Sequence, residues 1–173
     1  MDLNETTHES LEQQALELAQ DAVAAARSGD LRQMRQALDL GVPVELCSAS
    51  GDSLLMLAAY HGHREVAALL LQRGANPTAL SGRGQQPLAG VAFKGDVEMA
   101  TLLLDHGAPV DGAGPDGRTA LMFAALFDQL GVLELLLNRG ADPSLRDSGG
   151  MAAAELAQHM GAFKAWERLE GLI

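Results

Sequence analysis

Four groups of residues in this chain have types and spacings that could do chemistry. Gly112-Ala-Gly114-Pro-Asp-Gly117 has the G-x-G-x-x-G spacing of a dinucleotide-binding turn. That turn works only between a buried strand and a helix of a βαβ unit, where the helix N-terminus receives the phosphates. The sequence around Gly112 offers no such strand. His61-Gly-His63 with Glu65 supplies two imidazoles and a carboxylate, but no third histidine or cysteine lies nearby. Zinc is normally held by three or four such ligands. Cys47 has no histidine close in sequence to draw off its proton, so nothing marks it as a nucleophile. Asp111 and Asp116 fall on a connecting loop, where solvated carboxylates are ordinary. No serine, histidine and acid form a recognisable catalytic motif. We expect no catalysis, no metal and no cofactor.

Bulk properties exclude further classes. Twenty-three acidic residues against 12 basic ones give a net charge of −11. The first thirty residues hold seven of the acids (Asp2, Glu5, Glu9, Glu12, Glu17, Asp21, Asp30) against Arg27 alone. This field repels a polyanion and no basic stripe offsets it, so nucleic acid is not an expected partner. No run approaches the ~20 apolar residues of a membrane span, and the first residues lack the basic start and apolar run of a signal peptide. With Cys47 as the single cysteine, no intrachain disulfide can form. A reducing, cytoplasmic setting is the expectation.

The elements that would position any site follow from a period. Gly41, Gly74, Gly107 and Gly140 are spaced by 33 residues, as are Gly51, Gly84, Gly117 and Gly150. Leu55, Leu88 and Leu121 keep the same step, as do Ala59, Ala92 and Ala125, and then Leu70, Leu103, Leu136 and Leu169. A fixed period of this length signals stacked supersecondary units. The composition agrees: 47% of residues are hydrophobic but only 3% aromatic, and Ala and Leu favour short, closely packed helices. Each unit reads as a turn, a short helix, a helix-ending residue, a second helix and a closing glycine. In one unit the first helix spans Ser53–His61 and ends at Gly62, and the second covers Glu65–Arg73 and stops at Gly74.

These residues resemble the ankyrin repeat, whose pattern is G-x-T-P-L-H-x-A-A…G-H…L-L-L…G-A-D. Gly51–Pro77, Gly84–Val110 and Gly117–Pro143 carry the match, and the resemblance extends over roughly residues 15–173. There are departures. The motif proline survives only as Pro87, with Leu54 and Ala120 in its place. The motif histidine is replaced by Met56, Ala89 and Met122, which removes the source of the family's usual turn-stabilising hydrogen bonds. Asp128 stands where the mid-repeat glycine belongs, and Asp tolerates a left-handed backbone better than most residues.

The expected fold is therefore all-α, a solenoid of about five helix-turn-helix repeats with polar terminal caps. Its units run approximately 10–47, 48–78, 79–111, 112–144 and 145–173, preceded by a flexible acidic tail over 1–9. Ser10 and Gln13 read as a capping box that opens the first helix. End repeats have one face without a neighbour; accordingly Leu69, Leu102 and Leu135 correspond to Gln36 in the first unit and Arg168 in the last. Phe123 and Trp166 align with inner packing positions.

The resemblance implies a concave side, lined by turn tips and first-helix surfaces, that grips proteins. Carried onto this chain, the helix positions are Tyr60 and His61, Phe93 and Lys94, Leu126 and Phe127, then His159 and Met160. The turn positions include Arg83 and Arg118. Three of the chain's six aromatics fall on this face, and Tyr, Phe, Met and Arg are residue types that binding hot spots favour. A monomeric, non-catalytic module that binds an unidentified protein, as adaptor, accessory or inhibitor, is the expected function. The alternative is a structural protein that self-associates through the same apolar ladder.

Overall fold

The computed structural model describes residues 3–172, with side-chain environments from residue 11 onward. Ten helices are described: α1 (Leu3–Ser28), α2 (Leu31–Asp39), α3 (Leu54–Tyr60), α4 (Arg64–Gln72), α5 (Pro87–Lys94), α6 (Val97–Asp105), α7 (Ala120–Leu126), α8 (Leu130–Asn138), α9 (Ala153–Met160) and α10 (Phe163–Glu170). The described residues contain no strand, only isolated bridges such as Cys47 with Ser53. Each odd-numbered helix packs on the even-numbered helix that follows it. Odd helices also stack in one row, α1 to α9, and even helices in a second row. No described helix is long and apolar enough to cross a membrane.

The core follows the period. Leu55, Leu88 and Leu121, and Leu70, Leu103, Leu136 and Leu169, are all essentially without solvent contact. Full burial of such a side chain is worth about 1.5–3 kcal/mol, so the stack rests on these repeated rows. Phe123 is buried as expected, whereas Trp166 is only half-buried, packed against the core from α10.

Local chemistry explains where the helices start. Ser53 and Thr119 accept the backbone N–H groups of Met56 and Met122, at 3.0 and 3.4 Å. These hydroxyls hold the first turn although the family histidine is absent. At Gln86 no side-chain cap forms, but Pro87 occupies the first helical position and has no N–H to satisfy. Asp30 and Asp96 cap α2 and α6 through the N–H groups of Gln33 and Met99, each at 2.9 Å.

Between α7 and α8 the chain turns through Asp128, with φ of 55°. The left-handed conformation expected there is adopted. Helix α1 begins at Leu3, ahead of the Ser10 capping box, so its backbone covers most of the segment expected as a tail. Ser10 therefore lies inside α1 and does not open the helix as a cap, and Gln13 Nε2 donates to Glu17 Oε1 instead; the side chains of residues 1–10 lie outside the described residues.

Candidate functional site

Tight turns project between the helix pairs. Ser48, Ser81 and Asp147 occupy one repeat position, and each side chain folds its own turn. Ser81 Oγ accepts N–H bonds from Arg83 and Gln85, and Asp147 Oδ1 accepts them from Gly149 and Met151, at 2.9 and 3.0 Å. Gly114 lacks a side chain there, and Asp116 Oδ1 accepts the Arg118 N–H instead, at 3.1 Å. Neighbouring turns touch: Ser148 N–H donates to the Asp116 carbonyl at 2.8 Å.

This stacking accounts for the dinucleotide-like glycines. A Cβ on Gly112 would collide with the Gln86 amide, and one on Gly114 with the Gly84 carbonyl. Gly112 and Gly114 are small because the preceding turn lies against them, and no strand leads into the segment. The His61/His63 pair is likewise structural at one member. His63 Nε2 donates to the Arg27 carbonyl at 2.8 Å, tying α4 to the end of α1. No cluster of three or more metal-ligating side chains exists among the described residues. Cys47 is exposed, its thiol directed to the Glu45 carbonyl.

The face next to the turns carries the aromatics. Tyr60 ends α3, Phe93 lies in the last turn of α5 and Phe127 follows α7. The Tyr60 and Phe93 rings stack with centroids 6.4 Å apart and planes 12° from parallel. Phe93 meets Phe127 edge to face at 4.4 Å. Both geometries are favourable aromatic contacts. Tyr60 and Phe127 are 38% and 41% exposed, while Phe93 is half-buried between them. Lys94 Nζ stands 5.2 Å from the Tyr60 ring centre, a cation–π distance, and His61 packs edge-on to the same ring. In front of Tyr60 is a depression of about 290 Å³, bordered by Arg27, Asp52, Tyr60, His61, Arg83 and Gln85.

The structure thus gathers Tyr60, His61, Phe93, Lys94 and Phe127 on one surface, with Arg83 beside them. Leu126 is different: it is half-buried against the core. Arg118 is also engaged, its Nε donating to Asp147 Oδ2 of the next turn at 3.2 Å, so it braces two turns instead of standing free at a rim. The Asp147 carboxyl is held below its ordinary range, chiefly by the Met151 N–H and then by Arg118 and the Gly149 N–H, against opposing burial. His159 and Met160 are exposed at the end of α9 but join no described ring contact with the ladder.

One neighbour escaped the sequence reading. Arg27 borders the depression from α1, and it sits one period before Tyr60. Extending the register of Tyr60 and Phe93 backward into the divergent first unit would have found it.

Comparison with known proteins agrees with this architecture. The family model described as three copies of the ankyrin repeat matches residues 75–147. The single ankyrin-repeat model matches residues 50–81. A curated ankyrin repeat protein of Pseudomonas aeruginosa is 42% identical over 67 residues, a stretch that spans 39% of this chain and 39% of that relative. With repeat matches running from residue 50 to residue 147, more than half of its length, this chain belongs to the ankyrin-repeat family.

Proposed function

We propose that the chain is a non-catalytic docking module that holds a partner protein on its concave face, as an adaptor, accessory or inhibitor. Ankyrin repeats are in general protein–protein interaction modules, and the family membership supports that class. The observation that carries the reading is the continuous contact of Tyr60, Phe93 and Phe127 across three successive helix pairs, with two of the rings open to solvent. Rigid aromatic rings give a large contact area at small entropic cost, which is why they dominate binding hot spots. Half-burial of Phe93 strengthens the point, because a hot-spot residue works best when its own rotamer is already fixed. We read the protein as a monomer that offers this ladder to a different chain.

The test is a pull-down from host lysate with wild type and a Tyr60→Ser/Phe93→Ser/Phe127→Ser variant, both checked for folding by circular dichroism. A protein retained by wild type and lost by the folded variant supports the ladder as the docking surface. Equal retention by both sinks it.

A further inference from the structure

The depression in front of Tyr60 reverses the charge of the molecule. Arg27 and Arg83 border it, and Lys94 stands over the Tyr60 ring on the other side. The carboxylates lining this depression and the adjoining one beside Lys94 are Asp52 and Asp96. Three cations therefore face two acids here, which leaves nine cations against twenty-one acids in the rest of the chain.

The bonding of these groups sharpens the contrast. Asp52 accepts the Ser50 hydroxyl at 2.7 Å, and Asp96 accepts the Met99 N–H at 2.9 Å, which orients both acids without cancelling their charge. Among the described residues, Arg73, Arg118, Arg139, Arg146 and Arg168 are all held in ion pairs. Among the described residues Arg27, Arg83 and Lys94 have no carboxylate oxygen within 4.0 Å, as is also true of Arg32, Arg35, Arg64 and Lys164, but only these three gather around one depression. Two unpaired guanidinium forks thus border a dip whose floor adjoins an aromatic ladder, and the fork geometry matches a carboxylate.

The geometry points to a partner segment of stated chemistry: an internal stretch of polypeptide with an Asp or Glu side chain next to a large apolar one. The apolar side chain rests on the Tyr60–Phe93–Phe127 edges, and the carboxylate enters between Arg27 and Arg83. This rests on the reading of the ladder as a docking surface. A second copy docked ladder to ladder would bring like cations face to face, whereas an acidic segment neutralises them. The local reversal also admits an acidic segment that the overall charge of −11 would otherwise repel.

The test is a library of random 12-residue peptides held in a loop of a carrier protein, so that neither peptide end is free. It is panned on immobilised wild type, on Arg27→Gln/Arg83→Gln and on Phe93→Ser, with folding of each checked by thermal melting. The expected result on wild type is enrichment of Asp or Glu within two positions of Phe, Trp, Leu or Met. The acidic preference falls to library level on Arg27→Gln/Arg83→Gln, and all enrichment is lost on Phe93→Ser. Apolar enrichment without acids, or with basic residues, overturns the charge inference and leaves the ladder reading standing. Peptides that enrich equally on Phe93→Ser, or no enrichment on wild type, overturn both. A readout without protein variants completes the test. In the best peptide, Glu→Gln should weaken binding to wild type about tenfold or more, as loss of a charge-assisted bond predicts, and an unchanged affinity overturns the proposal.

Discussion

The carboxylate of Asp128 accepts the backbone N–H of Ala165, in the first turn of α10, at 2.8 Å. At the start of α2 and α6 that service comes from the helix's own N-cap, Asp30 or Asp96. Helix α10 begins after Ala162, which has no side-chain acceptor. Asp128, from the turn before α8, supplies the cap across the repeat boundary. The residue that departs from the family's glycine therefore does two things, taking the left-handed turn and capping its neighbour.

Asp128→Ala should lose both and destabilise the protein by about 1–3 kcal/mol, combining cap loss with the cost of a left-handed non-glycine residue. Asp128→Gly keeps the turn and loses only the cap, so its loss should be smaller. Urea unfolding of the two variants side by side checks the order; an Ala variant as stable as the Gly variant would refute it.

Leu70 is fully buried between α3 and the stacked even helices. Leu70→Ala should cost about 2–5 kcal/mol, the range for core truncation with a residual cavity. The midpoint of chemical unfolding should fall accordingly.

The ladder substitutions should separate stability from binding. Phe127→Ala removes a ring that is 41% exposed and should cost under ~1 kcal/mol of stability. Phe93→Ala removes a half-buried ring with two aromatic neighbours and should cost about 1–3 kcal/mol. Each should weaken partner binding by about 2–4 kcal/mol if it is a hot spot, measured by calorimetry once a partner or peptide is in hand.

Asp147 predicts a pH dependence. Its folded carboxyl lies below the ordinary 3.8. A lowered folded pKa contributes stability that is fully present above the unfolded value and is lost as pH falls through the folded one. Between pH 5 and 8 this group should add no slope; below about 3.8 it should drive destabilisation. Asp147→Asn should be less stable at pH 7 and show a flatter acid limb in thermal melts from pH 2 to 7.

Much of this was legible because the fold repeats. Once the glycines gave the period, Leu55, Leu70 and Phe123 could be assigned inside by register, and Asp128 could be recognised as a tolerated left-handed residue. What register cannot give is the partner a side chain finds in the next repeat. Arg118 has the composition of a free rim residue, and only the neighbouring turn shows that Asp147 holds it. Trp166 aligns with core positions, yet it is only half-buried against the core. Arg27 was missed for a related reason: the first unit keeps Ala25, Ala26 and Gly29 in register but has Leu18 and Ala22 where the turn glycine and the first leucine mark the register elsewhere.

Among the described residues the bonds between repeats reach only to the adjacent pair, as with His63 to the Arg27 carbonyl, Gln129 to the Phe93 carbonyl, Arg73 to Asp39 and Arg139 to Asp105. Such a stack behaves as a one-dimensional chain of links, each steadied by its nearest neighbours. A segment laid along Tyr60, Phe93 and Phe127 touches three consecutive links at once. It would fasten them together, so that amides in α3, α5 and α7 exchange with solvent in step where they had exchanged in succession. Whatever occupies the ladder would then act as a splint as well as a passenger.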